Sequence, residues 1–242
     1  MSAGDARANL PAMVLAAGRG SRMRPLSDTT PKPLLPVRGK PLIDWHLEAL
    51  ARDGVREVVV NTAWLEERIV EALGDGRRHG LSIALSREGR DWGGALETAG
   101  GIATALPLLA ARGDAFWLVS ADIWAPDFVF DAARAAAFAS SGLLAHLWLV
   151  PNPPFHPRGD FAIDAEGFAT AGDSAGPRLT YANLALLHAD LLRGIAPGTR
   201  AKLAERLVAG MRDRRVTAER YEGRWENVGT PEQLAALEAR QA

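Results

Sequence analysis

The stretch from Leu15 to Val37, LAAGRGSRMRPLSDTTPKPLLPV, gathers the side chains best able to handle phosphate. An apolar run, Met13-Val14-Leu15, gives way to Ala16, Ala17 and a loop with glycines at 18 and 20. A buried strand feeding such a loop is how α/β proteins build phosphate sites. Gly18 and Gly20 let backbone approach a ligand closely. Ser21 offers a hydroxyl, and Arg22 and Arg24 can fork onto phosphate oxygens. Lys32 stands between Pro31 and Pro33, so its ammonium is presented from stiff backbone. Arg24 is left to pack or pair nearby. A surface turn with solvated arginines is the ordinary alternative for this loop alone. Neither familiar phosphate motif is present: no G-x-x-x-x-G-K-[ST] string follows the strand, and Met23 follows Gly18-x-Gly20 where a dinucleotide fingerprint needs glycine.

A second chemical feature is Asp122, just past the buried run Ala115 to Ser120. A carboxylate at a strand end, beside a phosphate loop, suits a magnesium ion bound to substrate phosphates; a turn cap is the alternative. His46 and His146 lie on apolar elements and read as structural. His156, in the proline-rich PNPPFHPRGDF, is the better ligand candidate.

These residues need a scaffold, and the chain can supply one. It has 242 residues, 48% hydrophobic and 24% charged, enough for a single domain with ample core. The net charge of −1 gives no basic surplus for nucleic acid or an anionic membrane. With no cysteine, disulfides, thiolate nucleophiles and zinc-thiolate sites are excluded. Residues 1–11 hold no signal-peptide core and no apolar stretch spans a bilayer, so a cytoplasmic protein is expected.

Helical spacing predicts helices over 42–50, 65–73, 102–109, 128–138 and 203–211, and a closing helix from Thr230-Pro231 to Gln241. β-branched or alternating runs predict strands at 57–61, 81–85, 115–120, 143–150, 179–187 and 215–221. Residues 87–101, rich in glycine and polar residues, are expected to form a loop. Alternating strands and helices imply an α/β fold with a mostly parallel sheet, whose site lies at the carboxyl ends of its strands. Leu15–Arg24, Asn61-Thr62 and Asp122 fall there. The strands near 161–163, 169 and 179–187 are expected in a smaller, partly antiparallel layer.

LAAGRGSRMRPL followed by PKPLLPV resembles the signature of the sugar-1-phosphate nucleotidyltransferases, which join a nucleoside triphosphate to a sugar 1-phosphate and release pyrophosphate. The resemblance implies a Rossmann-like three-layer fold over residues 1–242. Its nucleotide-binding half is about 12–125 and its acceptor-binding lobe about 126–242. It implies that Leu15, Ala16, Ala17, Gly18, Gly20, Ser21, Asn61, Thr98 and Gly100 contact the nucleotide. Arg22 is assigned to the leaving pyrophosphate and Lys32 to the α-phosphate. Magnesium is assigned to Asp122 and to Asn227, which stands where the family's W-x-D-x-G-T-like segment has an aspartate; an N-cap for the last helix is the compatible ordinary role.

Two segments point to a subgroup. Leu96-Glu97-Thr98-Ala99-Gly100-Gly101 is similar to the L-E-T-G-G-G of short members acting on N-acetylmuramic acid 1-phosphate; an N-capped helix start, with Thr98 as cap, is compatible. Asn152-Pro153 through Phe161 is similar to their N-P-x-x-H-x-x-G-D-F. That implies sugar or sugar-phosphate contacts from Asn152, His156, Asp160, Asn183 and Lys202. A solvated lysine at 202 and a core-packing Tyr181 are the plainer alternatives. Uridine triphosphate is then the expected donor, within cell-wall recycling. Mannose-1-phosphate guanylyltransferase and glucose-1-phosphate thymidylyltransferase are the alternative enzymes, a non-catalytic nucleotide-sugar sensor the alternative of another class. A monomer or weak dimer is expected.

Overall fold

Short strands of valine, alanine and large apolar residues build the centre of the protein. The computed structural model describes residues 9–109, 113–172 and 176–239. The main sheet has seven strands: β1 (Ala12–Leu15), β2 (Glu57–Thr62), β3 (Ser82–Arg87), β4 (Ala115–Ser120), β5 (Ala145–Val150), β6 (Thr180–His188) and β7 (Val216–Arg220), in the order β7-β5-β6-β4-β1-β2-β3. β1 pairs in parallel with β2 and β4, β2 with β3, and β7 with β5; β6 is antiparallel to both neighbours.

The strands read as continuous apolar runs because both faces are covered. Alternation sends Val14 and Trp117 to one core, with Ile43, Leu47, Ile69 and Phe138. Met13 and Phe116 go to the other, with Ile102, Leu203 and Leu207. Helices α1 (Leu42–Arg52), α2 (Glu66–Leu73) and α5 (Ala132–Ala139) therefore cover one face. Helices α4 (Glu97–Leu109) and α6 (Leu203–Arg212) cover the other, giving three layers. A third, smaller cluster joins Met23, Leu35, Val37 and Trp124 to Val228, Leu234 and Leu237, the last two on α7 (Pro231–Ala239). Thr230 caps α7, its hydroxyl accepting from the Gln233 amide at 3.3 Å; residues 240–241 of the expected last helix lie outside the described residues. No described helix is long and apolar enough to cross a membrane.

Three expectations change. Residues 87–101 are not a loop: α3 (Glu88–Trp92) forms there and α4 starts at Glu97. Gly93 and Gly94 do turn the chain between the two helices, at φ 77° and 154°, but Gly100 and Gly101 serve close packing: a Cβ on Gly100 would lie 2.1 Å from the Thr199 carbonyl oxygen and one on Gly101 2.4 Å from Glu88 Oε1. Thr98 is accordingly inside α4 and not its cap. The helix expected from Phe128 begins at Ala132, capped by Asp131, which accepts from the Arg134 amide at 2.6 Å; Phe128 and Phe130 pack edge-on against Trp117 in the core. Residues 179–187 do not form a separate layer, for β6 lies between β4 and β5 in the main sheet. Only the two-residue strands Ala162–Ile163 and Ala169–Thr170 pair apart from it in that region.

Direction does the positioning. Leu15, Asn61 and Ser120, the register-matched residues at or near the carboxyl ends of β1, β2 and β4, lie side by side. Because β6 runs the other way, its first residues rise at that same end. Asn183, at φ 58°, sits where the register between β6 and β5 shifts, a bulge that re-aims its neighbours.

Candidate active site

Two adjoining cavities of about 490 Å³ each open along the carboxyl ends of the strands. The first is lined by Leu15 to Gly18, Gly20 to Arg22, Lys32, Asn61, Thr98 and Asp122. The second is lined by His156, Asp160, Tyr181, Asn183, Lys202 and Asn227. Leu15, Arg22, Glu97, Thr98 and Ser120 belong to both walls, so the two spaces meet at the end of the phosphate loop.

The loop is held from below and leaves its polar groups to the cavity. Met23 is fully buried in the third cluster while Arg22 beside it is exposed. Arg22 makes no hydrogen bond or ion pair with any described residue, and its Nη2 would lie 3.7 Å from a Cβ on Gly229. Gly20 takes φ 64° and abuts Lys32, where a Cβ would come within 3.2 Å of the lysine Cβ. Gly18 has no neighbour within 4 Å of where its Cβ would be, so the fold itself leaves that side open. Arg24 pairs with Asp28 at 2.8 Å and is thereby accounted for.

Asn61 and Glu88 anchor the loop. Asn61 Oδ1 accepts from the Ala16 amide at 2.8 Å, and its Nδ2 donates to Glu88 Oε1 at 2.6 Å. Glu88 Oε2 accepts from the Leu96 amide at 2.8 Å. Burial pushes the Glu88 carboxyl above the usual carboxylate range, against the pull of those two donors. Asn61 thus works first on protein, fixing where the loop leaves β1. Glu88 escaped the sequence reading because it lay in a segment taken for a loop.

Lys32 is 7% exposed, and its Nζ donates to Asp122 Oδ2 at 3.1 Å. The Asp122 side chain caps nothing. Its backbone carbonyl accepts from the Val228 amide at 2.9 Å, and Ile123 pairs with Asn227 in a two-residue ladder. Asp122 Oδ1 and Asn227 Oδ1 are both buried and without a hydrogen-bond partner among the described residues. Two orphaned oxygens, one from the turn just before the Ile123–Trp124 strand and one from the strand paired with it, fit a magnesium ion that takes its other oxygens from phosphate and water. Among the described residues no cluster of three or more histidine, cysteine or carboxylate side chains could hold a metal alone.

The second cavity is rigidly walled. Asp160 accepts from His156 Nε2 at 3.0 Å and from the Tyr181 amide at 2.8 Å. Tyr181 Oη is buried without a partner among the described residues, and burial raises its pKa beyond the usual phenol range. Trp225 donates to the Ala182 carbonyl at 2.9 Å and closes one side.

Two predicted contacts lie outside both walls. Asn152 donates to the carbonyls of Arg178 at 2.9 Å and Pro157 at 3.2 Å, and accepts from Thr180 Oγ1 at 2.8 Å. Its amide holds the proline-rich loop against β6. Gly100 is buried under the 199–201 segment, with the amides of Ala99 and Gly100 donating to the Ala201 carbonyl at 2.9 and 3.1 Å. That segment delivers Arg200 to the first cavity and Lys202 to the second. Arg200 was not anticipated; no local motif marks it.

Residues 11–156 match the family model described as nucleotidyl transferase. The chain is 47% identical over 229 residues to an N-acetylmuramate alpha-1-phosphate uridylyltransferase of Neisseria meningitidis serogroup B, covering 94% of this chain and 96% of that one. It is 35% identical over 247 residues to a protein of the same description from Caulobacter vibrioides, with 96% of each covered. A crystal structure described as a putative glucose-1-phosphate thymidylyltransferase from Bacillus anthracis superposes with a TM-score of 0.77 over 95% of this chain and 94% of that one, at 18% identity, a likeness of fold.

Proposed function

The chain belongs to the nucleotidyl transferase family, and on that premise we propose that it joins uridine triphosphate to N-acetylmuramic acid 1-phosphate, forming a nucleotide sugar and releasing pyrophosphate. The enzyme class is that of a sugar-1-phosphate nucleotidyltransferase. The observation that carries the reading is the pair of cavities sharing Leu15, Arg22 and Thr98. Two substrates seated there put their phosphates at one junction. The choice of donor and acceptor follows from the relative 47% identical over nearly the whole chain.

In this reaction an oxygen of the sugar phosphate attacks the α-phosphorus in line. One O–P bond forms, the bond from the α-phosphorus to its bridging oxygen breaks, and pyrophosphate leaves with the electron pair. The attacking oxygen is already anionic, so no general base is required. Protein groups must orient the reactants and offset charge on the transferring phosphoryl group. Lys32, held by Asp122, is the cation for the α-phosphate. Arg22, at the junction and without a partner among the described residues, is the cation for the leaving pyrophosphate. Gly18, Gly20 and Ser21 supply backbone and hydroxyl contacts to the triphosphate, and Lys202 neutralises the acceptor's phosphate. His156, Asp160 and Asn183 are available to the sugar. Magnesium, held by the oxygens of Asp122 and Asn227, would add positive charge beside the phosphates. A nucleotide-sugar enzyme of this kind would serve peptidoglycan recycling in the cytoplasm, where the triphosphates are.

The test is pyrophosphate release with magnesium across uridine, guanosine and deoxythymidine triphosphates and a panel of sugar 1-phosphates. Uridine triphosphate with N-acetylmuramic acid 1-phosphate is expected to turn over fastest. A guanosine–mannose or thymidine–glucose optimum would replace the substrate pair, and no turnover anywhere would make the protein a sensor.

A further inference from the structure

Beside the acceptor cavity lies a satellite cavity of about 460 Å³, lined by Phe155, His156, Pro157, Arg158, Gly159 and Arg178. Phe155 and His156 wall both spaces, so a substituent on a sugar in the first can reach the second. The loop that forms it is built with care for a surface segment. Prolines stiffen it at 151, 153, 154 and 157. Asn152 pins it to Arg178, Pro157 and Thr180, and Asp160 pins its far end to Tyr181. Gly159, at φ 60°, turns so tightly that a Cβ would meet Asn152 Oδ1 at 2.6 Å. What this fixed frame displays outward is an aromatic ring, Phe155, 48% exposed, and the guanidinium of Arg158.

Arg158 is exposed and makes no hydrogen bond or ion pair with any described residue. The other arginine of the cavity, Arg178, is committed to the protein, donating from Nη2 to the Ala171 carbonyl at 2.7 Å. The charge balance of the acceptor cavity says what Arg158 is for. Arg22 and Lys202 line that cavity as its cations, opposed by the carboxylates of Asp160 and Glu97. A second anion on the sugar would be repelled there unless a cation faced it.

We propose that Arg158 and the satellite cavity form a carboxylate subsite, which selects sugar 1-phosphates bearing an acidic ether substituent over neutral ones. Phe155 packs on the substituent's apolar part and Arg158 forks onto its two oxygens. The inference rests on the acceptor proposed above: muramate differs from its neutral parent amino sugar by a lactyl ether ending in a carboxylate.

The experiment compares kcat/KM for N-acetylmuramic acid 1-phosphate and N-acetylglucosamine 1-phosphate, with uridine triphosphate, in the wild type, Arg158→Leu and Arg158→Lys. The expected result is a roughly ten- to thirtyfold fall in the acid-over-neutral selectivity ratio for Arg158→Leu, the size of a lost charge-assisted hydrogen bond at an exposed site. The change should lie in KM, and Arg158→Lys should recover part of it. An unchanged ratio, or equal losses on both acceptors, overturns the subsite and leaves the acceptor assignment standing. A wild type with no preference for the acidic acceptor overturns the acceptor assignment and the subsite with it.

Discussion

Lys32 and Asp122 are 90 positions apart and meet at 3.1 Å, mostly shielded on the lysine side. Lys32→Ala should lower turnover about a hundredfold or more, the usual scale for losing one preorganised donor to a developing charge; single-turnover kinetics would read it, with near-normal turnover refuting the assignment. Asn227 offers a neutral oxygen where a carboxylate would bring charge. Asn227→Asp should therefore lower the magnesium concentration for half-maximal pyrophosphate release by about tenfold, since charge count tunes such sites. Lys32 was singled out in the sequence by its flanking prolines, Asn227 only by the resemblance of its segment to the family's W-x-D-x-G-T pattern. Glu88 and Arg158 were not legible as site residues. The importance of Glu88 lies in touching Asn61 and Leu96, that of Arg158 in the loop beneath it, and neither leaves a local pattern.

Among the elements, α4 shows how composition misleads. Four glycines between 93 and 101 stand just before it or in its first turns, and the segment read as loop. The actual constraint is the 199–201 segment lying across the helix start. Gly100→Ala would drive a Cβ against the Thr199 carbonyl oxygen, 2.1 Å away, and the backbone there has no room to give. A cost of roughly 1–3 kcal/mol in stability is expected, as for other overpacked sites. KM should rise for both substrates, because Arg200 and Lys202 ride on the displaced segment; thermal melts and steady-state kinetics measure the two effects. Strand periodicity, by contrast, located all seven main strands, since burial on both faces leaves continuous apolar runs. Which of them would run backwards was not readable. The direction of β6 is set by pairing with β4 and β5, 30 or more positions away in the chain, and it is that reversal that brings Tyr181 and Asn183 to the site.

At the scale of the whole molecule, two histidines tie stability to pH. Burial lowers His46 to about 4, despite its hydrogen bond to the Ile123 carbonyl at 2.8 Å, and it lowers His146 likewise to about 4. Both fall below the unfolded value of 6.5, so the unfolded chain binds more protons between the two values. Stability is full above pH 6.5 and is lost as pH falls through 4, by roughly 3 kcal/mol for His46 alone. Urea midpoints should drop accordingly between pH 7 and 4.5, and His46→Gln should flatten that slope. The third apolar cluster has a different consequence. It joins Met23 and Leu35 to Val228, Leu234 and Leu237, and the same closure brings Asn227 to Asp122. The latch makes assembly of the candidate site non-local: Met23 and Val228, packed together, stand about 200 positions apart in the chain, so the loop gains this wall only when the distant segment folds onto it.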